Sequence, residues 1–319
     1  MLLSRMAESL YWAGRYLERA EATARLLKVH SELYLDLPMS AGVGWAPLLA
    51  VTGSTEEFDA GYEDRDEASI VRFLSIDDEN PGSVLSSVCA ARASFRVART
   101  IVPRGAWQIT NRLFLFVTER PDDAVARRTR LGWMAQVIEQ SQTLAGAISS
   151  TMTHDEAYSF LEIGRRLERA DMTTRVLDVQ AEILMGQETQ DVHPYADVTW
   201  MSVLGSLSAR QMFRRAGHGG APGPEAIRFL LTHPQFPRSV ECCLAEVSAA
   251  LMELPAYAEP MAACADVQAQ LDATDVGALA HHGLHECMDE LQTGLAALHD
   301  RLTAGYFRRP SRSDALAVA

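Results

Sequence analysis

Lysine is almost missing from this 319-residue chain, with Lys28 standing alone among 29 basic residues. That removes the Gly-Lys-Ser/Thr phosphate loop and leaves one amine for any Schiff-base chemistry. Positive charge is short overall, at 29 Lys and Arg against 42 Asp and Glu, a formal net charge of −13. A generic nucleic-acid binder needs a basic face to neutralise phosphates, so that class is excluded. The five cysteines, Cys89, Cys242, Cys243, Cys264 and Cys287, are odd in number and lack Cys-x-x-Cys spacing. They give no disulfide ladder and no zinc set, and reduced, mostly buried thiols are expected. No stretch approaches the ~18 uncharged apolar residues that cross a bilayer. The opening Met1-Leu2-Leu3-Ser4-Arg5-Met6-Ala7-Glu8 acquires charge at once, unlike a secretory signal, so a cytoplasmic chain is expected. Sustained period-2 alternation is also missing, which argues against a sheet. No Gly-x-Ser-x-Gly elbow occurs, and Cys242-Cys243 has no defined histidine partner. His281 and His285 share a helical face beside Glu286 and Cys287, but the order is not His-Glu-x-x-His and no third ligand is fixed. The Gly219-Gly220 loop lacks both a preceding strand and a lysine. No metal and no cofactor is expected.

What the chain has is helical periodicity and a repeat. Met6, Leu10, Ala13, Leu17, Ala20, Ala24 and Leu27 step by three or four and mark one side of a long helix. Asn80-Pro81 reads as a helix start, and Thr153-His154-Asp155-Glu156 as a Thr-x-x-Glu capping box. Further helices are read from Trp200 to Arg215, from near Pro237, and from His281 to Tyr306, with His218 to Pro224 as a loop. Gly14-Arg15-Tyr16-Leu17-Glu18-Arg19-Ala20-Glu21 returns 150 residues later as Gly164-Arg165-Arg166-Leu167-Glu168-Arg169-Ala170-Asp171. Trp45 and Trp200 are 155 apart, and Pro81-Gly82-Ser83-Val84 returns 156 residues on as Pro237-Arg238-Ser239-Val240. The expected fold is all-α, with two tandem, pseudo-symmetric helical-bundle repeats at 1–152 and 153–309 and a flexible tail at 310–319.

The repeated residues are mostly charged. On a helical wheel Arg15, Glu18, Arg19 and Arg25 fall within about a third of the circumference, opposite the apolar stripe, and Arg165, Glu168, Arg169 and Arg175 take equivalent places. Planar guanidinium forks beside a carboxylate suit a carboxylate- or phosphate-bearing small molecule. Two structural readings stand beside that one. Glu21–Arg25 and Asp171–Arg175 are i,i+4 pairs of the kind that decorates exposed helices, worth about 0.3 to 0.5 kcal/mol each. Alternatively the two helices cross, with Glu18 pairing Arg169 and Glu168 pairing Arg19. Arg92 and Arg96, with Arg99, lie along the helix after Pro81 and extend a basic side toward Trp107 and Asn111.

The string from Met1 to Glu21 resembles the opening of the bacterial alpha-E domain family. The resemblance continues through Trp45-Ala46-Pro47-Leu48-Leu49, Asn80 to Val84, Gly164 to Leu177 and Gly283-Leu284-His285-Glu286 to Tyr306-Phe307. One stretch departs, since the family's Ala-Arg-Glu-Asn-Ala-Arg reads Ala91-Arg92-Ala93-Ser94-Phe95-Arg96 here. The resemblance implies partners by association: its members are typically encoded beside a circularly permuted ATP-grasp ligase and a transglutaminase-like cysteine peptidase, and some are fused to the ligase. It points to a helical partner subunit of an amide- or peptide-ligase system that offers an Arg/Glu-lined face. The alternatives are an independent enzyme of that pathway with Glu18 or Glu168 as general base, and a purely structural scaffold.

Overall fold

The computed structural model describes residues 2–38, 44–185, 196–217, 223–279 and 283–307, and every regular element among them is helical. In chain order the helices are α1 (Ser4–Asp36), α2 (Pro47–Thr52), α3 (Thr55–Gly61), α4 (Glu67–Ser75), α5 (Val84–Val97), α6 (Arg104–Glu119), α7 (Pro121–Val125) and α8 (Arg130–Thr151). Then come α9 (Glu156–Met185), α10 (Ala196–Ser206), α11 (Arg210–Arg215), α12 (Gly223–Thr232), α13 (Val240–Met252), α14 (Ala258–Ala273), α15 (Val276–Leu279) and α16 (Leu284–Leu302), closed by a π-turn at Thr303–Phe307. The expected glycine loop at 219–220, His281 and the tail at 310–319 lie outside the described residues.

Several helix starts differ from the sequence reading, each because a side chain competes for the free N–H groups of the first turn. Asp155, rather than Thr153, accepts from the Ala157 and Tyr158 amides at 3.0 and 3.4 Å and caps α9. Glu156 instead reaches across to accept from the Leu2 amide at 2.9 Å. Ser83 caps α5 and Ser239 caps α13, accepting from Ser86 and Cys242, so Pro81 and Pro237 each stand two residues ahead of the cap. The segment from Trp200 to Arg215 is two helices, broken where Ser208 adopts a left-handed φ of 53°. Gly223 and Pro224, read as loop, begin α12.

The longest helices, α1 and α9, pack against each other at the centre. Around α1 lie α5 and α8, with α6 joining those two; around α9 lie α13 and α16, with α14 joining them. The short helices cross over, so that α2 packs on α9 and α10 packs on α1. Most of α1 is covered, including residues on its charged side.

Two glycines set the central distance. A Cβ added to Gly14 would lie 2.1 Å from the Leu161 carbonyl oxygen, and one added to Gly164 would lie 2.1 Å from the Tyr11 carbonyl oxygen. The two contacts are reciprocal, because Leu161 stands to Gly164 as Tyr11 stands to Gly14. Each neighbour is backbone and cannot swing away, so any side chain at either position must push the helices apart. Gly14→Ala and Gly164→Ala are each expected to cost about 3 kcal/mol or more. A urea-denaturation midpoint equal to that of the parent would contradict the close crossing.

Beside α1, His30 is 4% exposed and packs edge-on against Trp45 with ring centroids 4.6 Å apart. Burial pulls its pKa down to about 4, against a smaller opposing hydrogen bond at Gly44. The unfolded chain therefore takes up this proton near pH 6.5 while the folded chain resists it to about pH 4. Stability from His30 is complete above pH 6.5 and declines as pH falls toward 4, by roughly 3 kcal/mol across that window. His30→Gln should flatten the melting temperature between pH 6.5 and pH 4, and an unchanged slope would refute this assignment.

Candidate functional site

Because α1 and α9 approach so closely, the Glu-Arg strings one turn beyond the glycines meet across the crossing. Glu18 on α1 receives Arg169 of α9 through both forks, Nε to Oε1 at 3.0 Å and Nη2 to Oε2 at 2.6 Å. Reciprocally, Glu168 on α9 receives Arg19 through Nε at 2.6 Å and Nη2 at 3.1 Å, and Arg15 donates its Nε to the same carboxylate. Glu18 and Glu168 are each 1% exposed. Burial works to raise the pKa of Glu18, but Arg169, Arg238 and Arg165 outweigh it and hold the carboxyl well below its usual range. Glu168 follows the same pattern, with burial opposed and overcome by Arg15 and Arg19.

The remaining predicted residues divide around this core. Arg165 donates to Glu162 at 2.9 Å and stands 3.6 Å from Glu18. Arg25 donates to Glu21 and is buried with it, whereas Arg175 donates to Asp171 at 2.9 Å and is about a third exposed. The i,i+4 reading is thus apt in spacing for both pairs, but the Glu21 pair sits inside the protein. Arg92 is turned away toward α6, where it donates to Asn111 at 2.6 Å and lies over Phe114, and Arg96 is exposed. Neither lines the recess beside Glu168.

Sequence reasoning missed Arg238. Its guanidinium donates to Glu18 Oε1 at 2.7 Å and to Glu21 Oε1 at 3.1 Å while remaining 8% exposed. Burial, helped by Arg25 and Arg169, pulls its pKa down to about 10, so it stays charged at neutral pH. The signal was present in the paired strings Pro81-Gly82-Ser83 and Pro237-Arg238-Ser239, where a charged residue stands in the place of a glycine.

On the side of Glu168 no arginine fills the matching space, and a recess of about 190 Å³ opens there. Arg19, Thr23, Glu57, Glu168, Asp171 and Arg175 line it, with Thr52, Gly53 and Ser54 at one side and Asn80, Pro81 and Gly82 at another. Gly53, at φ 64°, brings its backbone close to Arg175: an added Cβ would meet Nη1 at 2.8 Å. Elsewhere, Asp178, His285 and Asp289 place their potential metal-ligand atoms within 4.8 Å of one another, with His285 Nδ1 2.8 Å from Asp178 Oδ1. All five cysteines are free, and burial pushes the Cys243 thiol up to about 12, which makes it an inert core group.

The burial of these pairs fixes an order of mutational cost. Arg169→Ala leaves Glu18 inside the protein with Arg238 as its main partner, a change expected to cost about 3 to 5 kcal/mol. Arg19 is 28% exposed at its side chain and leaves Arg15 behind on Glu168, so Arg19→Ala should cost clearly less. Chemical denaturation of the two variants measures this, and equal stabilities would overturn the ranking.

Over residues 2–307 the chain matches the family Alpha-E, described as a predicted alpha-helical domain with a conserved ER motif. It is 27% identical over 270 residues to the uncharacterized protein Mb2597 of Mycobacterium bovis, covering 79% of this chain and 30% of the relative. The uncharacterized protein Rv2567 of Mycobacterium tuberculosis is 26% identical over 270 residues, with the same coverage of 79% and 30%. The chain therefore spans less than a third of the length of these curated relatives. No solved structure matches it. The chain carries a Glu-Arg string on each of two helices, each glutamate held by the other helix's arginine, and it belongs to the Alpha-E family.

Proposed function

We propose that this chain is a helical partner subunit of an ATP-grasp amide or peptide ligase system, and that it binds through the recess over Glu168. The observation that carries the reading is the inequality of the two charge clusters: one is closed by Arg238, while the other opens to solvent between α9, the end of α2 and the loop ahead of α5. A pure scaffold has no need to leave one cluster open. The matching contacts of α1 with α5 and α5 with α6, and of α9 with α13 and α13 with α14, together with the exchanged contacts of α2 with α9 and α10 with α1, support two duplicated halves, 1–152 and 153–309, of which the first contributes the opening. The mycobacterial relatives carry most of their length outside the matched region, which suits a module that works beside other domains. A ligase of this kind and a transglutaminase-like protein are the partners the family resemblance suggests, and a cytoplasmic setting suits their ATP-dependent chemistry.

The same geometry weighs against Glu18 or Glu168 as a general base. A base must bind a proton at working pH and reach its substrate, whereas these carboxylates are covered, paired with guanidiniums on both oxygens and held in the charged form. Binding, rather than proton transfer, is what the arrangement can do. Arg175 is suited to contact a ligand or partner, because its Nη atoms make no hydrogen bond among the described residues and its side chain is partly exposed. The purified cognate ATP-grasp ligase should co-elute with this chain and show altered ATP-dependent product formation in its presence, with binding weakened about tenfold or more by Arg175→Ala. Absence of both co-elution and any change in ligase turnover would refute the subunit reading.

A further inference from the structure

Arg238 shows what the open recess lacks. The two loops that enter α5 and α13 have the same construction: Pro81-Gly82-Ser83-Val84 and Pro237-Arg238-Ser239-Val240, with the serine capping the helix in each. Arg238 sends its fork to Glu18 and Glu21, two carboxylates three residues apart on α1. Gly82 lines the same recess as Glu168 and Asp171, two carboxylates three residues apart on α9, and has no side chain to offer them. Glu21 takes donors from Arg25, Gln142 and Arg238. Asp171 takes only the Arg175 Nε on Oδ2 among the described residues, which leaves Oδ1 without a donor. Thr173 ties its hydroxyl to the Arg238 carbonyl at 2.9 Å, whereas Thr23, at the corresponding place on α1, lines the recess.

Charge points the same way. The recess is lined by the carboxylates Glu57, Glu168 and Asp171 against the guanidiniums of Arg19 and Arg175, and Arg15 on Glu168 brings the charges level, without the extra cation of the closed cluster. At the closed cluster Arg25, Arg169 and Arg238 face Glu18 and Glu21, an excess of one positive charge. A free phosphate or carboxylate would add negative charge beside three carboxylates. A planar cation supplies what is missing, and its fork can span two carboxylates as a compact ammonium cannot.

We propose that the recess is a guanidinium site, in which a guanidino group from outside the chain takes up over Glu168 and Asp171 the contacts that Arg238 makes with Glu18 and Glu21. This rests on the recess being the binding face and names the chemistry that enters it. The group comes either from a small guanidino compound or from an arginine side chain of a partner protein.

The test is calorimetric titration of the full chain with agmatine, the peptide Gly-Arg-Gly amide, cadaverine, acetate and inorganic phosphate. Agmatine or the peptide should bind at least tenfold more tightly than cadaverine. A stronger peptide assigns a protein arginine, and a stronger agmatine assigns a small molecule. Gly82 carries no positive φ, and an added Cβ there meets only the Asn80 side chain at 3.2 Å, so Gly82→Arg can fill the recess from within. That variant should melt no lower than the parent and lose agmatine binding at least tenfold, and Asp171→Asn should weaken binding similarly should Gly82→Arg fail to fold. No guanidino binding, undiminished binding in both variants, or phosphate or acetate binding that Gly82→Arg abolishes would overturn the proposal. Ligase co-elution without guanidino binding removes this inference alone, while guanidino binding without co-elution removes the ligase partnership alone.

Discussion

The near contact of α1 and α9 backbones at Gly14 and Gly164 is the constraint on which the other features depend. Only without side chains at that point do the helices come close enough for a glutamate on one to reach an arginine on the other within 3.0 Å one turn later. A wider crossing would leave four charged side chains over a partly wet gap, where ion pairs contribute little. At this distance the surrounding helices can close over them, and the charges become internal. The glycines and the Glu-Arg strings are therefore one device, which explains why they recur together at a fixed spacing of four residues between Gly and Glu.

Burying so many ions is a poor way to gain stability, because removing each from water costs several kcal/mol before its partner offsets that loss. What such pairs do well is distinguish one arrangement from its neighbours. An apolar seam between two long helices tolerates a shift of register with modest loss, but a shift here would strand Glu18 or Glu168 among apolar residues. The bidentate geometry at Glu18 sharpens the discrimination, since both oxygens are matched to one planar fork. The remaining lone pairs of Glu18 are taken by Arg238 and approached by Arg165, while Arg25 Nη1 nearby stays buried without a partner.

Much of the fold was legible because helical periodicity and breakers are local signals. The long first helix and the absence of strands among the described residues follow from them. Caps were less legible: Thr153, Asp155 and Ser83 all offer suitable oxygens nearby, and only backbone direction decides which one reaches the first-turn amides. The crossing Glu18–Arg169 and Glu168–Arg19 pairs were readable as one of several arrangements. A helical wheel could not select among them, because it places charges opposite the apolar stripe without knowing that a second helix covers that side. Arg238 escaped for a related reason. It belongs to a loop 220 residues from Glu18, and only the glycine in the matching string marks it as unusual.

That glycine also marks where the two charge clusters part. A cluster closed by its own arginine presents nothing to solvent, so its carboxylates act only as fasteners. Removing one side chain, at Gly82, exposes an arrangement already oriented by the α1–α9 crossing, with Glu168 fixed by Arg15 and Arg19 and Asp171 left one oxygen short of donors. Such a recess is preorganised without being strained, because the ion pairs that shape it are also those that hold the helices in register. The guanidino group proposed for it would need little rearrangement of the backbone to enter, and the ordering cost that weakens most association would be small. On that proposal, substitution at the loop in front of α5 tunes binding, whereas substitution at Glu168 acts on the helix crossing itself.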